Sequence, residues 1–281
     1  MRLNMARPTG APQVARLAVI GAGAWAALLL ATRSGPTRES FLPLMRAGQD
    51  HLGQLERVAA QAMPLSAEEE RRIGLRLERG LHAAPDAHQA EAERIGRRLE
   101  RTGLLHRFAG RTLYRVLPTQ QVNAFATPGG HVLVTQGLLD AMSHDPSRLA
   151  FIIGHELSHA ELGHTADAVR YAAWLDRHGV PGGDLAQLLR FVAALSYSKG
   201  HELEADALAL ELMRKADVRL EASIEAMERL PGQAPPAPGH RDPGAVLAEA
   251  ALDYFHTHPG RQERLDRLRQ RIGRVSGWPT P

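Results

Sequence analysis

The chain has 281 residues, 44% of them hydrophobic and 23% charged, which is enough apolar material for a sizeable core and excludes a disordered chain or a fibrous repeat. It contains no cysteine, so disulfide staples, thiolate metal ligands, thiol nucleophiles and a lipoprotein anchor are all excluded, and any metal must be held by His and carboxylates. Basic and acidic residues nearly balance, 34 against 31, and Arg alternates with Glu as on solvated helix faces, so no nucleic-acid partner is expected.

Arg2, Arg7 and Arg16 precede an uncharged run over residues 17–32, LAVIGAGAWAALLLAT. As a helix this run spans about 24 Å against a hydrocarbon core of about 30 Å, short for a stable span and long for the core of a signal peptide. Residues 1–34 are therefore expected to be a signal peptide or an N-terminal membrane anchor. Either one leaves the positive flank inside and puts the remainder outside the cytoplasm, in the periplasm or on the inner membrane facing it, with a mitochondrial inner-membrane location the weaker alternative.

Residues 35–110 read as a helical region. A capping box, Ser66 with Glu69, opens SAEEERRIGLRLERGL, and a second amphipathic run, HQAEAERIGRRLERTGLL, follows. Both are expected to be packing layers without chemistry. Over residues 112–135 the period shortens to that of strands: TLYRVL, VNAFA and HVLVT, the last two joined by TPGG. Helices are expected near 137–143, from 146 onward and near 184–213. A Pro/Gly-rich loop over 231–243 follows, then a terminal amphipathic helix, RQERLDRLRQRIG. The fold class expected is mainly α with a small mixed β-sheet (α+β), residues 111–281 forming the core.

Residues 151–164 read FIIGHELSHAELGH. His155 and His159, four apart, lie on one helix face, where two imidazoles converge on one ion, and Glu156 lies one step round, placed to act as general base on a metal-activated water. A catalytic zinc needs a third protein ligand and an open position. HELEADALAL offers Glu202, with Asp206 four residues on as the carboxylate that fixes a ligand imidazole. His201 stands as an alternative ligand, Glu204 faces the other side of that helix, toward solvent or an Arg, and His164 reads as a polar residue at a helix end.

These segments resemble the zinc metallopeptidases that include the heat-shock membrane protease HtpX, the CAAX prenyl endopeptidase, the mitochondrial OMA-type peptidase and the periplasmic BepA and LoiP proteases. VNAFATPGGHVLVTQGLL is similar to the family's NAFxxPGG segment, SRLAFIIGHELSHAELGH to its active-site helix, HELEADALAL to its ExEAD helix, and YFHTHPGRQERLDRL to its THPxxxxR segment. The resemblance runs over residues 66–271 and is strongest to the OMA-type and periplasmic branch. It implies a zincin-like fold, one Zn²⁺ per chain on His155, His159 and Glu202, catalytic Glu156 and the outer partner Asp206. It also singles out His258 and Arg264, expected to polarise the scissile carbonyl and stabilise the oxyanion, with His258 able to take the open zinc position when substrate is away.

Asn123, Ala124 and Phe125 would present strand backbone to an extended substrate. The activity implied is endoproteolysis of unfolded or damaged envelope proteins, with protein or peptide substrates and a membrane partner through the N-terminal segment. The alternatives are a non-catalytic zinc-containing chaperone or binding module and, less favoured, a cell-wall amidase.

Overall fold

The computed structural model describes residues 64–78, 86–166, 197–231, 258 and 260–276. The expected leader at 1–34, the stretch 35–63 and all but the first residue of the loop at 231–243 lie outside them. Among the described residues no helix is long and apolar enough to cross a membrane.

Helix α1 (Ala67–Glu78) starts at the expected capping box: Glu69 N–H donates to Ser66 Oγ at 3.2 Å, and Ser66 N–H donates back to Glu69 Oε2 at 2.9 Å. Helix α2 (Asp86–Glu100) buries Ala92, Ile95 and Leu99 at helical spacing, with its polar residues outward. Strands β1 (Tyr114–Leu117), β2 (Ala124–Thr127) and β3 (His131–Thr135) form a sheet in the order β1-β3-β2, β3 running parallel to β1 and antiparallel to β2. The expected small mixed sheet is thus present. Central β3 is buried at every position, which explains its unbroken apolar stretch VLV.

The β2–β3 turn contains Gly129 and Gly130 at φ 93° and 80°, a conformation costly for any residue with a Cβ. Helix α1 packs backbone to backbone on this turn: a Cβ on Gly74 would lie 1.7 Å from the Pro128 carbonyl oxygen. Glu70 fastens the other side of α1, its fully buried carboxylate taking a hydrogen bond from Thr165 Oγ1 (2.6 Å) and an ion pair from Arg107 (2.7 Å).

Short helix α3 (Gln136–Ala141) follows, and then α4 (Pro146–Glu161). Asp145 caps α4 by accepting from the amides of Ser147 and Arg148 at 2.9 and 3.0 Å, and Pro146 occupies the first turn, where no amide is needed. Every residue of α4 from Leu149 to Ala160 is buried, because α2, β2, β3, α5 (Lys199–Lys215) and α6 (Ala222–Arg229) pack around it. The final helix α7 (Arg261–Ser276) lies against α5 and α6 through Leu265, Leu268 and Ile272.

The start of the helix read near 184–213 lies outside the described residues; in the described part a helix begins at Lys199, because Ser198 is extended and its Oγ accepts from His201 N–H.

Candidate metal centre

His155 and His159 sit one turn apart in the middle of buried α4 and point to one spot, their Nε2 atoms 3.0 Å apart. Glu202, in the first turn of α5, brings Oε2 to 3.4 Å from His155 Nε2 and Oε1 to 3.3 Å from His159 Nε2. His258, just ahead of α7, adds a fourth donor: its Nδ1 lies 3.0 Å from Glu202 Oε1 and 3.3 Å from His155 Nε2. All four residues are fully buried, and among the described residues this is the one group of His and carboxylates close enough to share a metal.

The donor set fits a cation. Ligands at 2.0–2.1 Å around a tetrahedral ion lie about 3.3 to 3.4 Å from one another, close to the separations found here. The polarity of the pocket agrees. Burial and Arg264 oppose a charge on His155, yet Asp206 and Glu202 outweigh them and raise its pKa to about 9, whereas burial holds the neighbouring His159 well below the usual imidazole range. The carboxylates thus favour a positive charge on His155, while His159 stays neutral with a lone pair to give.

A buried support of opposite charges stands behind the donors. Asp206, one turn after Glu202, places Oδ1 2.9 Å from His155 Nδ1. A proton on Nδ1 is thereby held by the carboxylate, which leaves the Nε2 lone pair for the metal. Arg264 is 1% exposed and grips Asp206 through two hydrogen bonds of 2.8 Å, from Nε to Oδ2 and from Nη2 to Oδ1, while Nη1 lies 2.6 Å from Glu202 Oε2. Burial alone would raise the pKa of both carboxyls. His258 and Arg264 instead hold Glu202 well below the carboxylate range, and Arg264, with His155, lowers the pKa of Asp206, so both stay ionised.

Glu156 is anchored by one oxygen. Its Oε2 accepts from Ala126 N–H of β2 at 2.8 Å, while Oε1 accepts no hydrogen bond among the described residues and lies 3.5 Å from His258 Nε2. Since the Ala126 amide turns away from β3, strand alternation turns the Ala124 backbone the same way, and the backbone of Asn123 and Phe125 turns toward β3.

The structure therefore gathers His155, Glu156, His159, Glu202, Asp206, His258 and Arg264 at one place. Three sequence readings need adjustment. The guanidinium of Arg264, expected at the oxyanion, faces the two carboxylates. His201 stacks on His164 (ring centroids 3.9 Å apart, planes at 9°) and stays outside the donor group. Of the strand Asn123–Phe125, Ala124 is the residue whose backbone groups turn away from β3, and it is fully buried. Sequence reasoning also passed over Tyr197, whose ring stacks on His159 at 3.8 Å, and the Ala126 amide. Neither carries a motif, because one acts through a ring face and the other through the main chain.

Two buried histidines and a glutamate converging from α4 and α5, with a second glutamate beside them, define a single-cation centre of the HExxH type. The chain belongs to peptidase family M48, whose model matches residues 87–178 and 182–272. Among its relatives, the mitochondrial metalloendopeptidase OMA1 of Bos taurus is 32% identical over 183 residues, covering 56% of this chain and 32% of that protein. Metalloprotease YcaL of Escherichia coli is 29% identical over 57% of this chain and 61% of its own length, and metalloprotease LoiP of the same organism 28% identical over 57% and 62%. The chain thus spans less than two thirds of the length of each of these relatives.

Proposed function

We propose that the protein is a zinc-dependent endopeptidase that hydrolyses peptide bonds of unfolded or damaged envelope proteins, with Glu156 moving the proton. The observation that carries this reading is the placement of Glu156: one oxygen is fixed by a strand amide and the other faces the donor cluster. His155, His159 and Glu202 would hold the divalent cation, which would supply Lewis-acid chemistry for water and for a scissile carbonyl.

The chain's own residues do the rest. Glu156 Oε1 takes a proton from the attacking water and delivers it to the departing amide nitrogen, while Oε2, held by Ala126, keeps the carboxylate from turning away. Asp206 fixes the His155 ring, and Arg264 keeps Asp206 and Glu202 charged and in place, a positioning role. His258 completes the donor set at rest and must give way to substrate. Substrate is read through the main chain at the edge of β2 away from β3, where Ala124 is fully buried at rest and has to be uncovered before an extended chain can pair with it, a recognition that suits substrates without a fixed sequence. The arginine-flanked apolar run at residues 17–32 supports export or anchoring outside the cytoplasm, and the relatedness to a mitochondrial metalloendopeptidase and two bacterial metalloproteases supports the activity.

One observation favours the non-catalytic alternative, a zinc-containing module that binds unfolded chains: with His258 the donors number four, as in closed structural sites. Casein cleavage separates the two. Glu156→Gln should abolish cleavage while leaving bound zinc unchanged. Cleavage that survives in this variant removes the mechanism, and wild-type protein that binds casein without cutting it establishes the alternative.

A further inference from the structure

The two ligand imidazoles are supported unequally. His155 has a buried, ionised carboxylate, Asp206, at its outer nitrogen. The outer nitrogen of His159 faces another imidazole: His159 Nδ1 lies 2.9 Å from His164 Nδ1, and both residues are buried. Two ring nitrogens this close share one hydrogen, so one donates and the other accepts.

This contact depends on the end of α4. Residues five apart do not share a helix face. The helix stops at Leu162, and Gly163, at φ 82°, reverses the chain so that His164 folds back over the preceding turn. His201 then stacks on the His164 ring, Tyr197 stacks on the His159 ring, and Glu204 Oε2 lies 3.4 Å from His164 Nε2. The Glu204 side chain is 65% exposed, so water competes for it and its share is small.

We propose that His164 is a positioning residue for the metal ligand His159, its Nδ1 accepting the His159 Nδ1–H and so presenting the His159 Nε2 lone pair to the cation. The inference rests on the reading of His155, His159 and Glu202 as metal ligands. It makes His159 the more weakly supported of the two imidazoles, since a neutral acceptor replaces the carboxylate that His155 enjoys. Metal loss is expected to begin on the His159 side.

The test measures zinc affinity by competition with a chromophoric chelator, together with the visible absorption of the Co²⁺-loaded protein, on the full chain. Outer partners of metal ligands typically contribute 10- to 100-fold in metal affinity. His164→Ala should weaken zinc binding by about that factor and shift the Co²⁺ bands. His164→Asn, whose Oδ1 can stand where Nδ1 stands and accept the same hydrogen, should restore affinity to within a few-fold of wild type. Glu204→Gln should change it by less than about threefold. Wild-type affinity and spectrum in His164→Ala would overturn the inference while leaving the metal centre standing, and equal losses in the Ala and Asn variants would reduce His164 to packing. Wild-type protein that takes up no zinc would overturn the centre itself and this inference with it.

Discussion

Glu156 accepts a hydrogen bond of 2.8 Å from the backbone amide of Ala126, so the proposed proton carrier is tied to the same strand that would bind substrate. The PGG turn beyond that strand is in turn backed by α1 at Gly74. A helix that looks like plain scaffolding therefore supports the strand that aims the carboxylate.

The amide can be removed without changing a side chain of the donor set. Ala126→Pro deletes the N–H that holds Glu156 and sets a ring carbon against the carboxylate, at a position whose N–H takes no part in the ladder with β3. A hydrogen bond to a charged group is worth about 1.5–3 kcal/mol, so kcat should fall by about ten- to a hundredfold. Metal analysis and casein kinetics check this: zinc content should stay at the wild-type level.

Metal uptake should depend on pH with a definite sign. Without a cation His155 is protonated up to about pH 9, Asp206 and Glu202 overcoming burial and Arg264. The incoming ion must displace that proton, so apparent zinc affinity should rise about tenfold per pH unit from pH 6 toward 9 and then level off. Titration calorimetry in buffers of different ionisation enthalpy should find about one proton released per ion near pH 7. Affinity that falls over this range contradicts the assignment.

His258 closes the donor set from a separate segment, its Nδ1 3.0 Å from Glu202 Oε1. If its part at rest is to block the open position, His258→Ala should raise basal casein cleavage several-fold, about what freeing one coordination position to substrate would give. Steady-state rates at equal zinc loading decide this, and an inert variant would assign His258 to the reaction itself.

Much of the site was legible because its chemistry has fixed spacing. Four residues along a helix bring His155 and His159 together, and the same step relates Glu202 to Asp206, so spacing, with the need for a third ligand and the family resemblance, pointed to these positions. The strands were legible from their change of period and their turn glycines. What escaped has no such period. His164 reaches His159 only through the reversal at Gly163, a backbone event that sequence spacing does not encode. Arg264 was singled out by resemblance, yet the expected contact differs from the one found, because a lone Arg on an amphipathic helix gives no sign of which carboxylates it will bury. Within the helix expected over 184–213, the break at Ser198 was not foreseen, because a cap made by a single hydroxyl leaves the apolar pattern around it unchanged.

The central claim is that His155, His159 and Glu202 share one cation. Zinc per chain, measured on purified wild-type protein and on His155→Ala, His159→Ala and Glu202→Ala, tests it most directly, with circular dichroism confirming that each variant is folded. One zinc per wild-type chain is expected, and loss of most of it in every variant. Undiminished zinc in folded Glu202→Ala would contradict it, since the third ligand would then have to lie elsewhere.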